Sequence, residues 1–401
     1  MTTSSRGSAS DQKTARTPYE PFDPDYIREV IEGPFGELLD HYFRPRLLGR
    51  QYLPARGPAI LAGNHSGSAY PWDALALSGT LWRHYDYDPR QLYRAVFEPE
   101  LSMAWWMRPF GIDNFWRRGG GVDMTFDNFH QLLERGERVL YYPEGVPGIG
   151  KGFHRRYQLQ RFSSSFVVQA ARHRAPVLPL YTINAEWVIP FNYTVRWLNR
   201  LVQRFHVPFM PLPAGPLAVL FPWLWYLSLP ARMIFVVGRP IDVAAKLRAI
   251  GASQIEDPQR DDARRVAEEI RCEMQTELDR YVDRYGRTPY HQRSLRSTLG
   301  RALKRGSFHR GMPWGWPWSF LAHDRDRQRP PARNRLHRWL RDWDIALYYL
   351  PLGWFLIALA RRFRKPPCGY RGLSPAERCE REGSFLWRLK DRPLPDRTDD
   401  Q

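Results

Sequence analysis

The sequence predicts an α/β domain built on a central, mostly parallel sheet flanked by helices. Short apolar strands alternate with helical segments, two strands run directly into turns that contain glycine or proline, and a long amphipathic helix follows the last strand. Strands separated by helices favour parallel pairing, because a parallel pair needs a crossover connection. Five strands are predicted, at 59–62, 92–97, 139–142, 176–183 and 233–237.

The predicted helices are recognised by their ends and by the spacing of their apolar residues. The segment 71–81 carries proline in its first turn, and the segment 126–135 stops at Gly136, a residue suited to the position after a helix. The clearest helix spans 262–285, where apolar residues three or four positions apart share one face. Two further helices are predicted, at 98–109 and 162–172.

Composition divides the chain of 401 residues into three parts. Residues 1–25 are rich in Ser, Thr, Pro and charge and contain no apolar run, so we expect a disordered tail without a signal peptide. Residues 26–286 contain the strand and helix pattern of the folded domain. Residues 287–401 form a basic, Trp-rich C-terminal extension. We expect little regular structure in its first part, to residue 341, and it contains an uncharged apolar segment at 345–360.

The chain carries a formal net charge of +18 and 16 tryptophans. Such a charge attracts polyanions, and nucleic acid, anionic lipid headgroups and coenzyme A all fit this property. Tryptophan favours places with one apolar and one wet side, which include membrane interfaces. The three cysteines have no paired spacing, which argues against a disulfide framework and a zinc site and favours a reducing compartment. No metal site is expected.

A histidine and an aspartate lie on either side of a predicted turn between a strand and a helix. His65 is in the loop after the strand at 59–62, and Asp73 is in the first turn of the next helix. A carboxylate that holds one imidazole nitrogen leaves the other free to accept a proton. An unperturbed imidazole titrates near ~6.5, which suits deprotonation of a hydroxyl near neutral pH. The alternative is a loop histidine beside an aspartate that caps the helix.

A second motif, Pro143-Glu144-Gly145, follows the strand at 139–142. Ligands of α/β sheets collect at the carboxyl ends of strands, and glycine lets the backbone approach a ligand closely. Glu144 is therefore a candidate contact for a substrate hydroxyl. The alternative is a Pro/Gly turn without a chemical role.

The order of these motifs resembles the glycerolipid (lysophosphatidic-acid-type, 1-acylglycerol-3-phosphate) acyltransferase family. In that family an Asn-His pair and an aspartate precede Pro-Glu-Gly. Between the two motifs, 111–117 resembles the family's second motif, and 175–180 resembles its fourth, a strand that contains proline. The stretch 142–162 is similar to the branch whose acceptors include neutral glycerolipids. The resemblance covers residues 45–285 and implies the fold of glycerol-phosphate acyltransferases.

The resemblance implies a membrane-associated acyltransferase and gives the site residues roles. The acceptor hydroxyl attacks the carbonyl of an acyl thioester while His65, oriented by Asp73, removes its proton. No cofactor is bound in this scheme, and acyl-CoA or an acyl carrier protein serves as co-substrate. The residues that the resemblance places on the acceptor side are Arg117, Pro143, Glu144, Gly145 and Lys151.

Two departures from the family pattern keep other functions open. Seven residues separate His65 from Asp73 where the family has four, which motivates the alternative of a catalytically weak lipid-binding member of the same fold. The Thr-Arg run that follows Pro-Glu-Gly in phosphate-binding members is absent, and Lys151 is the nearest substitute. The net charge motivates a further alternative, a basic nucleic-acid-binding protein. The chain has no helix-turn-helix or zinc-finger pattern, so no nucleic-acid partner is expected.

Two apolar stretches predict attachment to a membrane. Residues 214–229 and 345–360 are rich in Trp, Tyr and Leu, but each falls short of the ~20 apolar residues that a spanning helix needs. We therefore expect a peripheral or monotopic protein on the cytoplasmic face of a membrane, with its arginines near anionic lipids.

Overall fold

A seven-stranded sheet forms the centre of the computed structural model. The structure describes residues 24–65, 70–97, 116, 119–194, 197, 211–212, 215–290, 296–297, 300, 312–328 and 334–362. The predicted helix at 98–109 and almost all of the predicted N-terminal tail lie outside these residues. In chain order, the strands of the sheet are β1 (Arg46–Leu48), β2 (Ala59–Gly63), β3 (Tyr93–Phe97), β4 (Val122–Asp123), β5 (Arg138–Tyr141), β6 (Val177–Ile183) and β7 (Ile234–Val237).

The spatial order of these strands is β1-β7-β6-β2-β5-β3-β4. Every neighbouring pair runs parallel except β6 with β7. The predicted α/β class with a mostly parallel sheet is therefore confirmed. The sequence did not reveal β1 and β4, because two or three residues at the edge of a sheet carry too little apolar pattern to identify a strand.

Residues of the central strands alternate between the two faces of the sheet. In β2, Ala59 and Leu61 join the apolar cluster on one face, whereas Ile60 and Ala62 join the cluster on the other. Side chains along a strand alternate in this way, so a strand that is apolar throughout is buried on both faces.

Four helices cover one face of the sheet. The longest buries the apolar stripe that its spacing predicts, including Ile270 and Leu278. Two of the others begin at side-chain caps: Thr125 accepts the N–H of Asn128 at 3.1 Å, and Asp242 accepts the N–H of Ala245 at 3.0 Å. The four helices are Phe126–Glu134, Ser165–Arg172, Val243–Ala249 and Arg260–Tyr285.

The opposite face is covered by helices from both ends of the described chain. Pro24–Glu32 and Trp72–His84 pack there, together with Trp316–Gln328 from the C-terminal extension. The expectation of little regular structure between 287 and 341 is therefore wrong, since a second helix, Arg335–Ala346, also begins there. The helix Trp316–Gln328 is stabilised by aromatic contacts of Trp316 and Phe320 with the domain, and composition alone does not reveal such contacts.

The apolar segment 345–360 is divided between elements. A short 3-10 turn at Leu347–Tyr349 follows the helix that ends at Ala346, and a separate helix spans Gly353–Arg362. Within the described ranges, no helix combines the length and the apolar character that crossing a bilayer requires.

We expect Trp316→Ala to lower the free energy of unfolding by about 3–5 kcal/mol, the usual effect of truncating a buried aromatic residue. Trp316 is 1% exposed, and its ring lies 6.2 Å from that of Trp72 and 5.6 Å from that of Tyr70. Urea denaturation measures the change. Leu336→Ala, at an exposed position of the same extension, is the control and should stay within about 0.5 kcal/mol of the wild type. Equal effects of the two variants would contradict this packing.

Candidate active site

Three neighbouring parallel strands end at the same edge of the sheet and bring their loops together. Strand β2 lies between β5 and β6, with Ala62 opposite Tyr141 and Gly63 opposite Leu180. The loops that follow therefore meet, because parallel strands share the direction of their carboxyl ends. His65 follows β2, Glu144 follows β5, and Glu186 follows β6.

The loop after β2 is fixed at its first residue by Asn64. The fully buried Asn64 side chain donates to the carbonyl of Thr182 at 3.1 Å and accepts the N–H of Thr182 at 2.6 Å. This pair of bonds replaces the next step of strand pairing with β6 and holds the backbone before His65. Asn64 stands in the Asn-His motif, but its partner on β6 could not be identified from the sequence.

The imidazole of His65 and the carboxylate of Asp73 are in hydrogen-bond contact. Nδ1 of His65 lies 2.9 Å from Oδ2 of Asp73, whose side chain is fully buried. An ionised carboxylate only accepts, so this bond assigns the proton to Nδ1 and leaves the lone pair on Nε2. The His65 side chain is 13% exposed. The seven-residue spacing therefore permits the predicted contact.

The ring of Tyr142 supports the imidazole from one side. The two rings stack with centroids 4.2 Å apart and planes 21° from parallel. Burial, with a smaller contribution from the charge of Asp73, raises the pKa of Tyr142 well above its ordinary value. Tyr142 thus stays neutral beside His65 and restricts the rotation of its ring. The sequence analysis gave this residue no role.

Glu144 joins two loops through their main chains. Its Oε1 accepts the N–H of His65 at 2.9 Å, and its Oε2 accepts the N–H of Gln160 at 2.7 Å. The Glu144 side chain is fully buried. These bonds hold the backbone of His65 in place, whereas the predicted contact of Glu144 with a substrate hydroxyl stays a prediction.

Lys151 lies in a buried ion cluster. Its Nζ is 3.5 Å from Oε1 of Glu186 and 3.9 Å from Oε2 of Glu144, and its side chain is only 2% exposed. The structure therefore gives no support to the predicted contact of Lys151 with an acceptor, which stays a prediction. The sequence analysis missed Glu186, because no motif marks it. Burial raises the pKa of Glu186, and the Lys151 ammonium opposes that shift.

Glycines allow the loop after β5 to close against His65. Gly145 has a φ of +56°, a conformation that side chains disfavour. A β-carbon added at Gly148 would lie 2.6 Å from Cβ of Glu144 and 3.0 Å from Cβ of His65. Pro143 accepts the N–H of Ser163 at 2.9 Å through its carbonyl, which fixes the start of this turn. Pro143 and Gly145 therefore shape the wall of the site, and their predicted contacts with the acceptor stay predictions.

Arg117 lies outside the described residues, so its predicted contact with the acceptor headgroup stays a prediction. Of the motif at 111–117 the structure describes Trp116, whose ring lies 6.2 Å from that of Tyr70. In the described part of the chain, no three His, Cys, Asp or Glu side chains are grouped to bind a metal ion.

The fold and this geometry define a class of protein: an α/β domain that holds a histidine–aspartate pair at the carboxyl edge of its sheet. Residues 44–183 match the family model described as Acyltransferase. This part of the chain therefore carries an acyltransferase domain, in agreement with the resemblance that the motifs show.

Similar proteins occur in mycobacteria. The chain is 30% identical over 226 residues to uncharacterized proteins of Mycobacterium tuberculosis and Mycobacterium bovis, which covers 56% of this chain and 59% of each relative. It thus spans somewhat more than half the length of these relatives. Among solved structures, the chain resembles the 1-acyl-sn-glycerophosphate acyltransferase PlsC from Thermotoga maritima. The TM-score is 0.36 and the identity 15%, over 64% of this chain and 81% of that one.

We expect Gly148→Ala to lower kcat/KM for acyl transfer by about 10–100-fold, because a small displacement of a catalytic group is costly. The added methyl would displace Glu144 or His65. Steady-state kinetics on the purified variant measures the loss. Gly300→Ala is the control, since a β-carbon there meets nothing within 4 Å. Unchanged kinetics of Gly148→Ala would mean that close contact with this turn does not position His65.

Proposed function

We propose that this protein transfers a fatty acyl group from an acyl thioester to a hydroxyl of a glycerolipid, with His65 as the general base. The observation that carries the proposal is the 2.9 Å contact between His65 Nδ1 and the buried Asp73, within an acyltransferase-family domain. The alternative of a loop histidine beside a capping aspartate is disfavoured, because the side chain of Asp73 contacts the imidazole.

The proposed reaction forms a C–O bond, breaks a C–S bond and moves one proton from oxygen to sulfur. The acceptor oxygen attacks the thioester carbonyl as Nε2 of His65 takes the hydroxyl proton, and Asp73 stabilises the resulting imidazolium. The tetrahedral intermediate then expels the thiolate, which breaks the C–S bond, and His65 returns the proton to the sulfur. The products are an ester and a free thiol, and His65 is again neutral.

A neutral glycerolipid is the acceptor that we favour. The first cation after Pro-Glu-Gly is Lys151, and its ammonium lies between Glu144 and Glu186. A phosphate would have to displace a buried ion pair to reach it, at a large desolvation cost. This agrees with the resemblance of 142–162 to the branch with neutral acceptors. Acyl-CoA and an acyl carrier protein are both acidic donors that a chain of charge +18 attracts.

A membrane surface is the proposed location of the reaction, on the cytoplasmic side. Both predicted apolar stretches contribute exposed side chains, and they meet where the N–H of Leu352 donates to the carbonyl of Leu220 at 2.5 Å. Isolated exposed leucines are ordinary, but a continuous apolar patch indicates a binding surface. The exposed apolar residues of this patch are Leu217, Leu220, Leu350, Leu352, Phe355 and Leu359. We propose that they insert into the headgroup region of a bilayer.

Two other functions compete with this proposal. A catalytically weak lipid-binding member of the fold is motivated by the long loop between His65 and Asp73, but the contact of the two side chains weighs against it. A nucleic-acid-binding protein is motivated by the net charge and by the tryptophans among arginines near 313–338. Vesicle flotation beside a nucleic-acid shift assay, both at physiological salt, separates these functions.

His65→Ala should lower acyl transfer by about 10²–10⁴-fold while leaving the melting temperature unchanged, because a general base contributes about that much to the rate. The assay follows transfer of a labelled acyl chain from acyl-CoA to diacylglycerol or monoacylglycerol in vesicles. His154→Ala, at an exposed histidine, is the matched control and should retain full activity. Near wild-type turnover by His65→Ala would refute the mechanism.

The double variant Phe355→Asp/Leu359→Asp should lose most of its binding to anionic vesicles, since each charge opposes insertion into the bilayer. Phe126→Asp lies on the opposite face of the sheet and should bind like the wild type. High salt should release little wild-type protein, because salt screens charges but does not weaken apolar insertion. Clean release by salt would show that electrostatic attraction alone holds the protein.

A further inference from the structure

A buried ion cluster lies behind His65 and is continuous with its backbone. It consists of Glu144, Lys151 and Glu186, whose side chains are 0%, 2% and 3% exposed. Glu144 contacts His65 directly through the main-chain N–H at 2.9 Å. Lys151 lies between the two carboxylates and thus connects the end of β6 to the loop that carries the histidine.

The cluster contains two carboxyl groups and one ammonium. Glu144 accepts two backbone N–H groups, from His65 and from Gln160. The ammonium of Lys151 lies 3.5 Å from Oε1 of Glu186 and 3.9 Å from Oε2 of Glu144. Glu186 accepts the N–H of Tyr157 at 3.1 Å, which also favours its ionised form, while its Oε2 is buried without a hydrogen-bond partner in the described structure.

Charges in a buried site act over longer distances than at a surface, because water screens them less. Besides this cluster, the side chains of the described residues in contact with the imidazole of His65 are Asp73 and the neutral Tyr142. Arg271 of the long helix completes the surroundings of Glu144. Its pKa is raised chiefly by a hydrogen bond to Glu268 and in smaller part by the charge of Glu144. A change of charge at Lys151 or Glu186 therefore alters the electrostatic potential at the imidazole of His65 through Glu144.

We infer that Lys151 and Glu186 are positioning residues whose opposite charges set the proton affinity of His65 through Glu144. Neither touches the reacting atoms. Lys151 neutralises the Glu144 carboxylate next to the histidine, and Glu186 restrains and partly neutralises Lys151 in turn. This inference rests on the proposed role of His65 as general base. It gives Lys151 and Glu186 a function that does not require contact with a substrate.

The inference predicts opposite effects of two substitutions. Lys151→Met removes a positive charge beside Glu144, which favours the imidazolium, so the acid limb of the pH profile of kcat/KM should move to higher pH. Glu186→Gln leaves Lys151 with one carboxylate, so the limb should move to lower pH. We expect shifts of about 0.5 to 1 pH unit, the size that a unit charge produces in a partly buried site. The double variant Lys151→Met/Glu186→Gln should lie near the wild type.

Arg94→Met is the matched control, because it also removes a buried cation from an ion pair. Arg94 pairs with Glu137 at 3.3 Å near the start of β3, away from the carboxyl edge of the sheet. It should cost stability without moving the acid limb. Shifts in the same direction for Lys151→Met and Glu186→Gln, or no shift in either, would overturn the inference and leave the cluster with a purely structural role.

A second measurement separates this inference from the proposed function. NMR titration of the His65 ring, assigned by its loss in His65→Ala, reports the same midpoint without catalysis. If the wild type transfers no acyl group but the two variants move the midpoint in opposite directions, the proposed function fails and the electrostatic coupling stands. If acyl transfer depends on His65 but the midpoint does not move in either variant, the proposed function stands and the coupling fails.

Discussion

The site depends on the hydrogen bonds that the carboxylate of Glu144 accepts from two loops. This carboxylate accepts one main-chain N–H from the loop that carries His65 and another from Gln160, so that two loops from different parts of the chain share one acceptor. A buried carboxylate is stable only where donors or a cation compensate its charge, and here both are present. The close approach of Gly148 to Glu144 and His65 depends on the same geometry. The Pro-Glu-Gly turn is thus a support for the histidine as well as a candidate surface for a substrate.

The C-terminal extension supports the site from the other side. Asp73, which orients His65, is the second residue of a helix whose first residue, Trp72, lies among aromatic rings. Trp316 of the extension contacts this group and covers a face of the domain that would otherwise expose apolar side chains. The position of Asp73 therefore depends on packing contributed by residues more than two hundred positions further along the chain. The same extension contributes Leu350, Leu352, Phe355 and Leu359 to the exposed apolar patch, so part of the proposed membrane surface and the packing around Trp72 come from the same segment of the chain.

The fold class and the principal site residues could be predicted because both leave local patterns in the sequence. The strands β2, β5, β6 and β7 are short apolar runs, and strands of that kind occur buried in parallel sheets. Asn-His and Pro-Glu-Gly directly follow strands, Asp73 lies in the first turn of the next helix, and the order of these motifs indicated the acyltransferase family. The helix Trp316–Gln328 could not be predicted, because its apolar side chains do not recur at helical spacing.

The sequence by itself nominated His65, Asp73 and Glu144 as candidate site residues, from side-chain type and from position in the segments that follow strands. Only the tertiary structure decided what surrounds them. The spacing of His65 and Asp73 did not decide whether their side chains touch. The fold places Nδ1 of His65 2.9 Å from Oδ2 of Asp73. Lys151 looked like a substrate contact because it follows Pro-Glu-Gly, yet Glu186 lies beside it from a strand distant in the sequence. The physical reason is that burial and electrostatic partners arise from contacts between distant segments, which local sequence patterns do not encode.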